Sequence, residues 1–291
     1  MKPSEYKDRY ENLEVLLGDG STSKVTVNQY RLAGVNVDEK AKDAFIEKLR
    51  NGIDMELRVS TETVKVHSRG RGDEWERLVL LPFLGKGSPE HCQIVLQLAG
   101  HWGLAGRPAN LQKYADSYLG LDCNGFVGNF LWHEMRGNPW RSLGVGKHEV
   151  GPSTSIDGFF DGKTPVEKWD DLDPGRSYIM GRVNSKTGVI IPGGSGKQAG
   201  HIVITDAGTV DRRPGGKDGL TKDKDGKDSF PLRCRAIEST GGHKPEGLWE
   251  SWYSCQSVDE KKTRRKHAFE IYREDMIAGH QYYSFQIAAV D

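Results

Sequence analysis

The sequence has no long apolar run. Its longest, Leu78 to Leu84, is far shorter than the ~20 residues of a membrane span, so no spanning helix is expected. An apolar leader is missing too: Met1 to Glu14 is dense in charge, and no secretory signal peptide is expected. Neither sign of charge is in excess. Lys plus Arg and Asp plus Glu each number 41, which argues against a chain built to neutralise phosphates, so no nucleic-acid partner is expected. Cysteine is scarce: four residues, at 92, 123, 234 and 255, and no Cys-x-x-Cys pair. That spacing argues against a structural zinc and, without a leader, against a disulfide framework. With no structural task for all four, one cysteine is free to be a nucleophile.

Several tempting motifs stop short. Gly193-Gly194-Ser195-Gly196-Lys197 resembles a phosphate loop, but Ile191 stands where its first glycine belongs and Gln198 where Ser or Thr is required. His133-Glu134 opens a zincin-like string whose second histidine position is Gly137, and no Gly-x-Ser-x-Gly elbow exists. Asp223-Lys224-Asp225-Gly226 lacks the downstream glutamate of a calcium loop. No metal and no cofactor are expected.

Glycine is abundant, 36 of 291 residues, or about 12% against a usual ~7%. With seven tryptophans, this reads as strands and loops with some helix. The length fits one large domain or two small ones and suffices to bury a core without staples.

Residues 1–86 read as a small α+β module. Val25, Val27 and Tyr30 form a strand-like run, Ala41 to Leu49 has helical spacing, Met55, Leu57 and Val59 alternate, and Leu78 to Leu81 suggests another strand. No chemistry is visible in this module. It reads as a recognition or delivery appendage, and a chain starting near Gly87 is expected to fold without it.

Residues 87 to about 137 read as helical, with stripes at Ile94, Val95, Leu98 and Ala99 and over Asn110 to Leu119. Phe126, Val127, Phe130 and Leu131 repeat so that another helix begins near Cys123. Strand patterns follow at 177–183, 189–192, 201–205, 234–239 and 282–290. Helices followed by strands predict an α+β domain over 87–291, helices packed on an antiparallel sheet. Asp211 to Asp228, with eleven charged residues in eighteen, reads as a solvated loop, and Lys261 to Lys266 as a solvated basic face.

Cys123 at a helix start would feel the unpaired N–H groups and partial positive charge there, which favour the thiolate. Gly125 and Gly128 would let that helix approach a neighbour closely. His201 heads an apolar strand after a glycine loop, and Glu238 lies in the next strand candidate. A thiol, a base to take its proton and a third group to hold the imidazole are the parts that nucleophilic catalysis needs.

Leu121-Asp122-Cys123-Asn124-Gly125-Phe126-Val127 resembles the Asp-Cys-Ser-Gly-Phe-Val signature of the NlpC family of papain-like cell-wall cysteine peptidases. Leu172-Asp173-Pro174-Gly175 looks like that family's Pro-Gly turn before the first core strand, and Gly200-His201-Ile202-Val203-Ile204 is similar to its His-Val-Gly-Ile strand. The resemblance covers about 87–255 and implies a papain-like fold, Cys123 as nucleophile, His201 as base and Glu238 as its orienter, with His243 the fallback third member. Asn124 departs from the usual Ser. Glu238 stands where many members carry His, Asn or Gln, and is nearer to the related CHAP amidases, which use Cys, His and Glu. The family's upstream tyrosine would be Tyr114 or Tyr118. Arg107, Arg136 and Arg141 are candidates to bind a substrate carboxylate.

The implied activity is hydrolysis of an amide bond in peptidoglycan stem peptides through an acyl-enzyme. The rivals are an acyltransferase, a deamidase or a protein-directed protease on the same scaffold, and a catalytically inert wall-binding module. A hydrolase made in the cytoplasm without a signal peptide would act at the wall or periplasm after non-classical export or release, as a phage lysin or an antibacterial effector. Its partners would then include an immunity protein or delivery machinery.

Overall fold

A computed structural model describes residues 1–70, 72–106, 109–136, 150–184, 186–193, 199–209, 211–212, 221–222, 228–229, 232–243, 245–257, 268–273 and 282–290. The chain is mixed α+β, with six α-helices among the described residues, and divides into two compact units. A helical unit comprises Glu5–Ser153 with Ser239–Leu248. A sheet unit comprises Met1–Ser4, Thr154–Glu238 and Trp249–Asp291.

The helical unit carries α1 (Pro3–Glu11), β1 (Leu13–Leu16), β2 (Thr22–Val25), α2 (Glu39–Arg50), β3 (Ile53–Val59), β4 (Glu62–Ser68), α3 (Glu74–Phe83), α4 (Pro89–His101), α5 (Leu111–Tyr118) and α6 (Cys123–Arg136). Its helices start where side chains accept the orphan N–H groups of a first turn. Asp38 caps α2, Asp73 caps α3 and Asn110 caps α5. Ser88 and His91 form a capping box on α4, with Pro89 in its first turn. Every residue of α4 from Pro89 to Ala99 is buried, so its polar groups need internal partners. Gln93 accepts from Ser60 N and donates to Glu14 O, both at 3.0 Å, and Gln97 donates to Arg58 O at 2.6 Å.

Leu78 to Leu81 lies in α3, not in a strand. The Asp73 cap sets the helical phase, and Leu78, Val79, Pro82 and Phe83 are buried at helical spacing. The alternation at Leu57 and Val59 does form a hairpin, β3 with β4, which buries Val64 and Val66 opposite.

The boundary expected at residue 86 does not coincide with the division between units: both of its flanks lie in the helical unit. Tyr6 and Tyr10 of α1 are buried, and the Tyr6 ring sits 6.0 Å from Phe126 and 5.8 Å from Phe130 of α6. Arg9 pairs with Glu90, which is 1% exposed. Phe45 stacks on Phe83 at 5.4 Å and on Trp102 at 5.0 Å. Apolar periodicity within 1–86 identified elements, but several of their partners, such as Glu90, Trp102 and Phe126, lie beyond residue 86.

In the sheet unit six strands form an antiparallel sheet curled into a half-barrel. They are β5 (Tyr178–Arg182), β6 (Ile202–Thr205), β10 (Leu232–Thr240), β11 (Gly247–Ser257), β12 (Phe269–Arg273) and β13 (Tyr282–Ala289), in the order β11-β12-β13-β5-β6-β10, with β10 also paired to β11. The two-residue strands β7 (Asp211–Arg212), β8 (Thr221–Lys222) and β9 (Asp228–Ser229) punctuate the charged tract, whose other residues lie largely outside the described ones. Val189 to Pro192 makes only a bridge, Ile190 to Val183. The core of this unit gathers Trp169, Met180, Val203, Ala236, Ile271 and Phe285, among others. Asp173 turns the chain into β5, accepting from Gly175 N at 2.7 Å.

A chain starting at Gly87 is therefore predicted to fail as a folded protein. It would lose two buried tyrosines and strand Glu90 without Arg9. Losses of about 3–5 kcal/mol for each large aromatic and for one partner of a buried pair approach or exceed a typical total stability of roughly 5–15 kcal/mol. Thermal melting of soluble material should show no cooperative transition; a sharp transition near that of the full chain would contradict this packing.

Candidate active site

The candidate residues fall in both units, Cys123 in the helical unit and His201 and Glu238 in the sheet unit.

Cys123 owes its place to the extended segment Gly120-Leu121-Asp122. Gly120 N donates to Pro82 O at 3.2 Å, Leu121 N to Gln29 O at 2.9 Å and Asp122 N to Gly85 O at 2.9 Å. Asp122 then ends the segment and starts α6: its Oδ1 accepts from Gly125 N at 2.6 Å and its carbonyl from Phe126 N at 3.1 Å. Lys86 Nζ lies 2.7 Å from the same carboxylate. Burial pushes the Asp122 carboxyl above the ordinary range, against the pull of Lys86 and of the helix N–H groups.

The two glycines seat the helix. A Cβ at Gly125 would lie 1.9 Å from Gly85 O, and one at Gly128 would lie 2.2 Å from Gly151 O. Cys123 thus sits at the first position of a capped helix, with its thiol donating to Asn124 Oδ1 at 3.3 Å. It is 8% exposed, against 0% for Cys92 and 1% for Cys234. Burial, and secondarily the charge of Glu90, pushes the Cys92 thiol up and keeps it protonated.

Tyr30 is bridged to Leu121. Its hydroxyl is pushed well above the ordinary tyrosine value by burial first, and then by the nearby Cys123, Asp122 and Glu246. The tyrosine beside Cys123 is therefore Tyr30. Tyr114 and Tyr118, the two expected from sequence, stack on each other at 4.9 Å. Ser239 Oγ donates to Leu121 O at 2.7 Å, and His243 is buried in this same unit.

In the sheet unit His201 immediately precedes β6, and its carbonyl accepts from Arg182 N at 2.8 Å. Gly200 before it is enclosed: a Cβ there would lie 2.4 Å from Ile191 O. Ile237 of β10 faces Ile204 of β6, so Glu238 reaches His201 diagonally across the pair. His201 Nε2 lies 2.6 Å from Glu238 Oε2. Glu238 follows Cys234 and Ala236 on the buried face of β10 and is itself 0% exposed.

Two further side chains hold that carboxylate. Ser251 Oγ of β11 donates to Glu238 Oε1 at 2.5 Å, and Arg273 Nη1 of β12 donates to Oε2 at 3.3 Å. Tyr253, opposite Arg273 in the β11–β12 register, is buried alongside. Its hydroxyl is pushed well above the ordinary value by burial and then by the charge of Glu238. His201, Glu238, Ser251 and Arg273 thus come from four successive neighbours around the curled sheet, β6, β10, β11 and β12.

Glu238 accepting from Nε2–H fixes one imidazole tautomer and leaves Nδ1 as the basic nitrogen. Of the three expected residues, the structure joins His201 to Glu238 directly. Sequence reasoning missed Ser251, Arg273 and Tyr30. Ser251 and Arg273 interrupt the apolar alternation of Trp249 and Tyr253 and of Phe269 and Ile271, so that pattern did not single them out. Arg107 and Arg141 lie outside the described residues, as do 194–198, 223–226 and 261–266, and Arg136 ends α6. No cluster of metal-ligating side chains occurs among the described residues. No family model, curated protein or solved structure matches the chain.

The cap makes a direct prediction. Asp122→Ala should cost at least about 1–2 kcal/mol in chemical denaturation, because it removes the α6 cap and the partner of Lys86. Gly125→Ala should cost more, since backbone at Gly85 cannot yield as a flexible side chain would. Wild-type stability in both would show that α6 is not seated as described.

Proposed function

We propose that the chain is a papain-like cysteine amidohydrolase that cleaves an amide bond in peptidoglycan stem peptides, with Cys123 as nucleophile, His201 as base and Glu238 as orienter. The observation that carries the reading is the 2.6 Å hydrogen bond between His201 and a carboxylate with no solvent exposure. A buried carboxylate spent on one imidazole nitrogen is the arrangement a general base needs. Cys123 as the first residue of a capped helix adds a thiol whose own backbone N–H lies at the helix start. The choice of peptidoglycan rests on the resemblance of residues 121–127, 172–175 and 200–204 to the NlpC family.

In this mechanism His201 Nδ1 takes the thiol proton and Cys123 Sγ attacks the scissile carbonyl carbon. The Cys123 backbone N–H, at a helix N-terminus, donates to the developing oxyanion. His201 returns the proton to the leaving amine as the C–N bond breaks. Water, deprotonated by His201, then attacks the thioester, and the acyl group leaves as a carboxylic acid with the thiol restored. Glu238 holds the ring and stabilises the imidazolium in both halves. An enzyme of this kind would act at the cell wall, as a phage lysin or an exported antibacterial effector, with an immunity protein or delivery machinery as partner.

Purified sacculi treated with the full chain should release fragments whose masses name one amide bond. Cys123→Ala and His201→Ala should each lower turnover by about 10³-fold or more. Glu238→Gln should lose less, because an amide oxygen can still accept from the ring. EDTA should not inhibit. Full activity in Cys123→Ala would end the reading. Turnover of proteins or acyl transfer in place of sacculi would keep the nucleophile and move the substrate.

A further inference from the structure

We propose that Arg273 is a positioning residue for the His201 base: it holds Glu238 ionised, so that the carboxylate aims the imidazole without taking over its titration. The catalytic meaning rests on the hydrolase reading above; the charge assignment does not.

A carboxylate at 0% exposure has lost its hydration. Left alone it would take up a proton, because the desolvation of one buried ion costs several kcal/mol. A neutral histidine 2.6 Å away cannot repay that cost as a cation can. Without a third charge, the pair would draw a proton from solvent and rest as imidazolium and carboxylate, or as imidazole and carboxylic acid. The first state cannot accept the thiol proton, and the second gives up the strong acceptor.

The groups facing Glu238 come from each strand packed around it. His201 Nε2 and Arg273 Nη1 share Oε2, at 2.6 and 3.3 Å, while Ser251 Oγ donates to Oε1 at 2.5 Å. Tyr253, a titratable neighbour of Glu238, is 1% exposed, and burial above all holds its hydroxyl well above the ordinary value, so it adds no charge there. Arg273, 5% exposed at its side chain, is thus a buried cation in direct contact with Glu238 and balances its charge. An arginine suits this place because its guanidinium stays protonated even when buried. Ser251 fixes the second oxygen and so the plane of the carboxylate, which sets the direction of the bond to His201.

The direction of the effect follows from Coulomb's law. Removing a cation beside two coupled titrating groups raises the proton affinity of the pair, whichever member takes the proton. In full-length protein, the His201 ring resonances should report an apparent pKa about 1–3 units higher in Arg273→Met than in wild type. Arg273→Lys, which keeps a charge, should stay near wild type. On substrate, Arg273→Met should lower kcat with KM little changed, and raise the acid edge of the pH profile. An unshifted titration in folded Arg273→Met, whatever its melting temperature, would make Arg273 a merely structural residue and overturn the proposal.

If Arg273→Met does not fold, the wild-type protein still decides. The Glu238 side-chain carboxyl carbon should resonate as a carboxylate at pH 7, and a protonated carboxyl there would overturn the assignment. Neither resonance experiment needs substrate. The expected titrations without any turnover would retire the hydrolase reading and leave Arg273 as the keeper of the Glu238 charge. Turnover with unchanged titrations would retire the role of Arg273 alone.

Discussion

A carboxylate with no exposure has to find every hydrogen bond inside the protein, and that requirement at Glu238 organises the sheet unit. Its donors include an imidazole, a hydroxyl and a guanidinium, contributed by segments 201, 251 and 273. A flat antiparallel sheet cannot bring four successive strands to one carboxylate. A sheet curled until β10 pairs with β11 as well as β6 can do so. Apolar inward residues, such as Ala236 on β10 and Ile271 on β12, supply the burial that keeps the cluster dry. The cluster is therefore a property of the curl as much as of its four residues.

The helical unit solves a different problem, the placement of one thiol. Asp122 is buried and serves two partners at once, the first turn of α6 and Lys86. Both Lys86 and Gly85 belong to the segment between α3 and α4, so the start of α6 is tied to the chain well upstream. From the first eleven residues, Tyr6 and Tyr10 add aromatic contacts to α6. Cys123 is thus set by backbone bonds and close glycine contacts, with few rotatable side chains between it and the core.

What the sequence revealed and what it hid have physical reasons. The start of α6 near Cys123 was legible because Phe126, Val127, Phe130 and Leu131 repeat at helical spacing, while the Asp122 cap that fixes it is seen in the structure. Strands β5, β6, β10 and β13 were legible because their inward faces are apolar and their lengths ordinary. Strands β11 and β12 were not, because Ser251 and Arg273 put polar groups on inward positions and spoil the apolar count. The residues that hid those strands are the ones that hold Glu238, as expected where a buried polar cluster overrides patterning. The opposite error made a strand of Leu78 to Leu81, where four apolar residues conceal a capped helix. Tyr30 was missed because it lies 93 positions before Cys123 and meets its neighbourhood only through the bridge to Leu121.

The proposed function has His201, held by Glu238, act as the base for Cys123. It is tested most directly by the rate of Cys123 alkylation near neutral pH, with the modified residue located by peptide mass. In the wild-type protein Cys123 should be labelled before the buried Cys92 and Cys234. In His201→Ala its labelling should slow, because the base that takes the thiol proton is gone. Equal Cys123 labelling rates in the two proteins would contradict the proposed role of His201.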